Sequence, residues 1–366
     1  MRVNITGVFV FLNGLVFRLL EVIHKLNIVI MAGGKGTRFW PRSVDTLPKQ
    51  FLHFHSSQTL IQETAARFKQ AVPDHQLFIA APARYLPLLH EQLPGFSMQQ
   101  LIVEPEQKDT AACIALAAFQ LLSAGDDQPV VFVPSDQHVA DDAAFLTAIK
   151  LAAQTAEQDH AIVTLGIKPS RPETGFGYMR TTAESGLASA SVLYVSSFLE
   201  KPTEERAAQL LTEPGVYWNS GIFVCRPSTI ARSLELLQPK IWNSLLLHPH
   251  DPSAAYALMP KLSIDYAVME QAEKIYCIPV DCGWDDVGSW AAISRHSTAD
   301  SNGNVIQGLA SLVQSTGNTV YVEDDKQVVL IGVHDLIVVS TPSGLLVCLK
   351  TEEPQLKKWL NQMPNA

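Results

Sequence analysis

Residues 27–43 read Asn-Ile-Val-Ile-Met-Ala-Gly-Gly-Lys-Gly-Thr-Arg-Phe-Trp-Pro-Arg-Ser. After Asn27 the first five residues are apolar, with β-branched Ile28, Val29 and Ile30, the texture of a strand covered on both faces. Behind it, Ala32, Gly33, Gly34 and Gly36 let backbone approach a ligand closely, and glycine N–H groups can point at phosphate oxygens. Lys35, Arg38 and Arg42 set cations along the same loop, and Lys49 follows in Leu47-Pro48-Lys49-Gln50. Two familiar nucleotide loops do not fit. GxxxxGK[ST] is absent, and Phe39 stands where GxGxxG needs its third glycine. Glycines alone suit a plain turn as well as a site. The spacing of the cations moves the reading to a phosphate-binding loop.

Outward from this stretch, short apolar runs alternate with helical patterns. Strand candidates are residues 77–81, 101–104, 130–133, 161–166, 221–225 and 275–280. Helical periodicity runs over Leu60–Val72, Thr110–Leu122, Ala143–Ala156 and Ile264–Ala272, with Asp109 and Asp141 placed to cap two of these helices. Such alternation predicts an α/β fold with a mainly parallel, doubly wound sheet. After Arg295 the texture changes. Residues 304–349 hold short strand-like runs punctuated by Gly, Asn and Asp, which predicts a small all-β coil or barrel, and Pro354–Leu360 reads as a terminal helix. The expected organisation is an N-terminal apolar extension over 1–26, an α/β domain over 27–295 and a small β domain over 296–366.

The chain has 366 residues, of which 47% are hydrophobic and 17% charged, a mix that packs rather than stays disordered. Its formal net charge of −9 argues against a general nucleic-acid binder, which needs a basic footprint. The five cysteines, Cys113, Cys225, Cys277, Cys282 and Cys348, form no CxxC pair and are an odd number, which suits structural thiols in a reducing, cytoplasmic setting. The run from Val8 to Leu20 is interrupted by Asn13, Gly14 and Arg18 and is shorter than the about 20 apolar residues that a spanning helix needs. No small-residue cleavage site follows it. An interfacial helix, a packed extension and an upstream start all stay open, with membrane association the least favoured.

Asp136 follows Val133-Pro134-Ser135 at the C-terminal end of a strand, where open α/β sheets bind ligands. Position alone leaves a helix cap and an Mg²⁺ ligand equally open. His53 with His55, and His248 with His250, lack carboxylate partners and read as solvated histidines. Cys277, Cys282 and Ser135 lack a matching base, so nucleophilic hydrolase chemistry is unsupported.

The loop GGKGTRFWPRS with LPKQ resembles the signature of nucleotidyltransferases that join a nucleoside triphosphate to a sugar 1-phosphate. Its Trp-Pro form, followed by KQFL, is similar to the mannose-1-phosphate guanylyltransferase branch. Further matching stretches follow in order: EPEQKDTAACIAL, VPSDQH, RPETGFGYM, FLEKP, YWNSGIFV, SIDYAVME and GWDDVGSW, with DLIVVSTPSGLLVC similar to the family's C-terminal β-helix. The resemblance covers roughly residues 27–355, and independent motifs in sequence order are far more specific than any one of them.

The resemblance implies a Rossmann-like domain with a C-terminal β-helix, and an enzyme that transfers GMP from GTP to α-D-mannose 1-phosphate, giving GDP-mannose and pyrophosphate. It assigns Ala32, Gly33, Gly34, Gly36, Thr37 and Asp109 to the nucleotide. Arg38 would neutralise the leaving pyrophosphate, while Lys49 and Lys201 hold phosphates. Asp136 and Asp286 would bind Mg²⁺, with Asp285 the second choice for the latter. Gly175, Glu200 and Asn219 fall to the sugar, Asn219 both donating to and accepting from a diol. Trp218 and Tyr178 stay as core aromatics. The implied partners are the two substrates, with a homodimer allowed and nucleic acid excluded. At 366 residues, no fused isomerase module of the kind longer relatives carry is expected.

Three departures stand out. Lys108-Asp109-Thr110-Ala111-Ala112 carries Asp where the family has Asn, beside the nucleotide; Gln137 replaces a His; Phe176 replaces a frequent Tyr. Two rival readings share these residues: a nucleotidyltransferase for another base or hexose, and a regulatory relative that binds nucleotide sugar without turnover.

Overall fold

The computed structural model describes residues 26–34, 36–54, 56–183, 191–323, 325–360 and 362–363. The expectations for residues 1–25, Lys35 and His55 lie outside the described residues. The chain forms two compact units. The first takes the described residues up to Gly33, Thr64–Ser135 and Val139–Trp284; the second takes Gly34–Glu63, Asp136–His138 and the chain from Asp285 onward.

The first unit is built on a nine-stranded sheet. Its strands are β1 (Asn27–Met31), β2 (Leu77–Pro82), β3 (Leu101–Glu104), β4 (Val130–Pro134), β5 (Ile162–Ile167), β6 (Gly177–Thr182), β7 (Leu193–Glu200), β8 (Val216–Cys225) and β9 (Ile275–Pro279), in the order β3-β2-β1-β4-β8-β5-β9-β7-β6. The run β3-β2-β1-β4 is parallel, as is β5–β9. Strand β8 runs antiparallel to β4, β5 and β6, and β7 runs antiparallel to β6 and β9, so the sheet is mixed around β7 and β8. The helices in chain order are α1 (Leu60–Lys69), α2 (Leu86–Gln92), α3 (Asp109–Ser123), α4 (Asp142–Asp159), α5 (Glu204–Thr212), α6 (Pro227–Leu237), α7 (Pro239–Leu247) and α8 (Pro252–Leu258).

The core explains these choices. Val29, Val130 and Phe132 are fully buried in the sheet, and α3 packs with Ala111, Ala115 and Ala118 fully buried, small helix-forming residues that allow close approach. Truncating Phe132 to Ala would cost about 3–5 kcal/mol. Asp141 caps α4 as its sequence predicts, accepting from the Ala144 N–H at 2.9 Å. Asp109 does not cap α3: it is that element's first residue, follows Lys108 at the cap, and has φ 68°. Its carboxylate instead accepts from the Thr110 N–H at 2.9 Å. The pattern over Ile264–Ala272 yields a π-helical turn, Asp265–Met269, rather than an α-helix. Thr110 Oγ1 accepts from the Ile264 N–H at 2.8 Å, which ties the entry of this turn to α3.

The second unit contains α9 (Trp290–Arg295) and six strands: β10 (Val305–Gln307), β11 (Ala310–Val313), β12 (Thr319–Val322), β13 (Val328–Ile331), β14 (Leu336–Thr341) and β15 (Gly344–Leu349); α10 (Leu356–Leu360) follows. Strands β10, β12 and β14 stack in parallel, β11 and β13 stack in a second parallel pair, and β15 closes antiparallel on β14. This is a parallel β-helix whose corner is a buried ladder: Asn318 Nδ2 donates to Asn304 Oδ1 at 3.0 Å, and the Leu336 N–H donates to Asn318 Oδ1 at 3.0 Å. Inside the coil pack Val320, Val322 and Val338.

The segment 34–63 shares a core with this β-helix. Phe39 packs against Phe54 and Trp290, and Trp290 against Tyr321, with ring centroids 5.0–5.4 Å apart. Arg42 is buried between the rings of Phe54 and Tyr321, at 4.9 and 4.6 Å from their centroids, and pairs with Glu323. The cationic loop is therefore braced from within the second unit. Among the described residues no helix is long and apolar enough to cross a membrane.

Candidate functional site

Within the second unit the loop cations meet two aspartates far away in sequence. Lys49, 5% exposed at its side chain, sets Nζ 3.0 Å from Asp136 Oδ2 and donates to the backbone carbonyl of Asp286 at 2.9 Å. Arg38 is exposed and reaches toward the Gly288 carbonyl at 3.5 Å. Burial raises the pKa of the Asp286 carboxyl; Lys49 opposes this, the Asp136 charge adds to it, and Arg38 opposes again. Two glycines make the approach feasible. Gly36 has φ +63°, and a Cβ there would stand 2.4 Å from Lys49 Cβ. A Cβ on Gly288 would lie 2.7 Å from Asp286 Oδ2 and 3.2 Å from an Arg38 nitrogen.

Adjacent Asp285 has a different task. It takes Arg295 at 2.8 Å, His296 at 3.2 Å and the Val287 N–H at 2.9 Å. Burial alone would raise its pKa, but the bonds from His296, Arg295 and Val287 outweigh it and hold the carboxyl far below the usual range. Val287 has φ 45°, an outlying conformation for a β-branched residue, and is fully buried. Asp285 thus braces a strained turn that presents Asp286.

Within the first unit a second group gathers at the ends of β7 and β8. Lys201 has φ 48°, and its ammonium lies 2.7 Å from Glu200 Oε1. Burial would lower the Lys201 pKa, but the bond to Glu200 and its charge raise it. Asn219 Oδ1 accepts from Thr164 Oγ1 at 2.9 Å and from the Gly221 N–H at 3.2 Å, while Nδ2 donates to Asp265 Oδ1 at 3.0 Å. Both acceptor positions of the amide are therefore used, and one N–H remains. The expectation that Asn219 both donates and accepts toward a diol gives way to donation alone. Burial, then the Glu200 charge, push Asp265 up to about 7. Gly175 lies exposed in the loop before β6 and bonds to Glu173 Oε1. It is Gly177 that lies against Glu200: a Cβ there would stand 2.6 Å from Oε2.

A third group sits where β1 and β3 end. The Ala32 N–H donates to the Ala80 carbonyl at 2.8 Å, and the Gly33 carbonyl accepts from Gln107 Nε2. Glu104 is 3% exposed, accepts from the Tyr256 hydroxyl at 3.1 Å, and would stand 3.3 Å from a Cβ on Gly33. Burial raises it to about 7, against hydrogen bonds from Tyr256 and Cys113 and with help from the Asp109 charge. In the second unit the Gly34 carbonyl accepts from Gln50 Nε2 at 3.0 Å, and Thr37 opens a short helical turn that carries Arg38 and Phe39. All five cysteines are free thiols. Burial pushes Cys282 up to about 11 and Cys225 and Cys277 further, so none is poised as a nucleophile.

The structure therefore brings Arg38, Lys49, Asp136 and Asp286 together, and separately Glu200, Lys201 and Asn219. Residues 27–303 match the family described as nucleotidyl transferase, and residues 303–363 match a mannose-phosphate isomerase/GMP-like β-helix domain.

The chain belongs to the nucleotidyl transferase family.

Among curated relatives, alginate biosynthesis protein AlgA of Pseudomonas aeruginosa is 36% identical over 341 residues, covering 90% of this chain and 70% of that protein. Mannose-1-phosphate guanylyltransferase of Escherichia coli is 34% identical over 345 residues, with 90% and 72% covered. A crystal structure described as mannose-1-phosphate geranyltransferase from Thermus thermophilus has a TM-score of 0.83 at 30% identity, covering 92% of this chain and 99% of that one. Three residues of this nucleotidyl transferase escaped the sequence reading. Glu104, Gly177 and Asp265 lie inside EPEQKD, ETGFGYM and SIDYAVME, motifs that carried the family likeness, but only the fold shows Glu104 against Gly33, Gly177 against Glu200 and Asp265 against Asn219.

Proposed function

We propose that the chain transfers GMP from GTP to α-D-mannose 1-phosphate. The observation that carries this reading is the buried Lys49, salt-bridged to Asp136 and bonded to the Asp286 backbone, on a loop that also carries Arg38; relatives named mannose-1-phosphate guanylyltransferase support the choice of substrates. An oxygen of the sugar phosphate attacks the α-phosphorus of GTP. A new P–O bond forms, the bond from the α-phosphorus to the β-bridging oxygen breaks, and pyrophosphate leaves with that electron pair. The attacking phosphate is already ionised, so the protein supplies position and charge rather than a nucleophile.

Arg38 and Lys49 neutralise the triphosphate, and Gly33, Gly34 and Gly36 let backbone N–H groups approach it. Lys201 takes the phosphate of the sugar, held in place by Glu200, while Glu200 and Asn219 address the hexose. Mg²⁺ fits Asp136 and Asp286: a buried carboxyl that resists ionisation, beside a second carboxylate, matches a cation that takes one or two carboxylates with phosphate oxygens and water. When bound, it would neutralise charge that develops on the phosphates. The free thiols suit a cytoplasmic enzyme.

The test is pyrophosphate release with Mg²⁺, pairing GTP, ATP, UTP and dTTP with mannose and glucose 1-phosphates. Release with GTP and mannose 1-phosphate far above every other pair is expected. Another productive pair would keep the chemistry and change the substrates, and binding of nucleotide sugar without release would favour the regulatory alternative.

A further inference from the structure

We infer that Asp265 is the hydroxyl acceptor of the sugar subsite, paired with Asn219 as donor, so that the two side chains together read adjacent hydroxyls of the hexose. This rests on the proposed sugar 1-phosphate chemistry and adds the residue that sets which hexose is accepted. The argument begins with the Asn219 amide. Gly221 N–H can only donate, so its bond fixes Oδ1 on that side, and Thr164 Oγ1 fills the other acceptor position. Nδ2 then faces Asp265 with one N–H to spare. A hexose diol offers donors as well as acceptors, so some other group must accept.

Glu200 meets only part of that need. Its side chain is 6% exposed and one oxygen already holds the Lys201 ammonium. Asp265 is half-buried, as Glu200 is, but its carboxylate carries no ammonium, and among the described residues Asn219 is the side chain that hydrogen-bonds it. Its backbone lies in a π-helical turn, a geometry often found at functional sites. The carboxyl also sits among unfavourable neighbours, shielded from water and facing Glu200 and Asp109, opposed by its own backbone N–H and by Lys201. A hydroxyl donor would favour its ionised form and relieve that cost.

Asp265→Asn separates positioning from acceptance. The amide oxygen can still take the Asn219 N–H, but an NH₂ group replaces the second acceptor. Full-length wild type, Asp265→Asn and Asp265→Ala would be compared by calorimetric binding of mannose 1-phosphate and its 2-, 3- and 4-deoxy analogues, with pyrophosphate release measured in parallel. One deoxy analogue should bind wild type about 10- to 100-fold more weakly than the parent. That penalty should vanish in Asp265→Asn, while KM for GTP changes less than threefold. Deoxy penalties that persist unchanged in Asp265→Asn, with pyrophosphate release intact, overturn the inference and leave the proposed function standing. A penalty abolished by Asp265→Asn in a chain that releases no pyrophosphate supports the inference and overturns that function. A variant that loses affinity for GTP and for every sugar alike, with a lowered melting temperature, overturns it by making Asp265 merely structural.

Discussion

The group proposed to handle phosphates and the group proposed to handle the sugar use similar residues on different supports. Arg38, Lys49, Asp136 and Asp286 stand on loops of the second unit, held by glycines and by the strained Val287 turn. Glu200, Lys201, Asn219 and Asp265 stand in the first unit on β7, β8 and a π-helical turn, where strand register and hydrogen bonds to neighbouring side chains orient them. The first arrangement allows backbone and charge to crowd a polyanion. The second suits discrimination between hydroxyls. Substitutions in the loop group should therefore fall mainly on turnover, and those in the strand group mainly on sugar affinity.

The sharpest way to break this comparison is the pair of neighbouring aspartates. Asp286→Asn removes a buried acid whose ionisation is unfavourable, and should lower kcat about 10³-fold or more with melting temperature unchanged or raised. Asp285→Asn should do the opposite in kind. It removes the negative charge and one of the two acceptor oxygens that Arg295, His296 and the Val287 N–H share, and about 3 kcal/mol of stability should go with it. Steady-state kinetics beside thermal melting reads both. Equal loss of turnover with equal loss of stability in the two variants would erase the distinction between presenting and bracing.

Two glycines give a smaller, graded test. Gly36→Ala places a methyl against Lys49 Cβ and backbone N at a left-handed φ, contacts that cannot move aside, so kcat should fall about 100-fold. Gly177→Ala meets side-chain atoms rather than backbone, the far end of Glu200 and the edge of the Phe198 ring, which can shift, so KM for mannose 1-phosphate should rise about tenfold with kcat nearly kept. If Gly177→Ala lowered kcat as far as Gly36→Ala, the loop and strand groups would not differ in what they control.

These contrasts mark how far the chain can be read without its fold. The phosphate loop was legible because its glycines and cations occupy one contiguous stretch after a strongly apolar strand. Asp136 and Asp286 could be picked by type and context, whereas their shared attachment to Lys49 is a tertiary fact. Strand β6 was missed because Gly177–Thr182 opens on a glycine and carries Arg180, Thr181 and Thr182 where a buried strand would be apolar. Asp265 was hidden by periodicity, since a π-helical turn and an α-helix look alike over a few residues. The capacity of Asn219 was overcounted because Thr164 and Gly221 occupy its oxygen only once β5 and β8 pair across a bulge. Residues 27–31 and the helix at Asp142–Asp159 were plain from pattern alone, because burial on both faces or a clean cap leaves no competing reading.

Glu104 supplies the mildest test and concerns stability alone. Asp286 has Lys49 and Arg38 to offset its charge, whereas the hydrogen-bond partners of Glu104, Tyr256 and Cys113, are neutral. Its acid is raised from 4.5 to about 7 in the fold, so the protonated form is the one that folding favours. The associated stability is fully present below about pH 4.5 and is lost as pH rises through about 7, by up to about 3 kcal/mol. Glu104→Gln keeps a hydrogen-bond acceptor for Tyr256 and does not titrate. Its melting temperature relative to wild type should therefore climb between pH 5 and pH 8, on the order of a few degrees. A difference that stays flat across that range would mean that Glu104 ionises as easily in the fold as in the unfolded chain, and that its burial is better compensated than a hydroxyl and a thiol can explain.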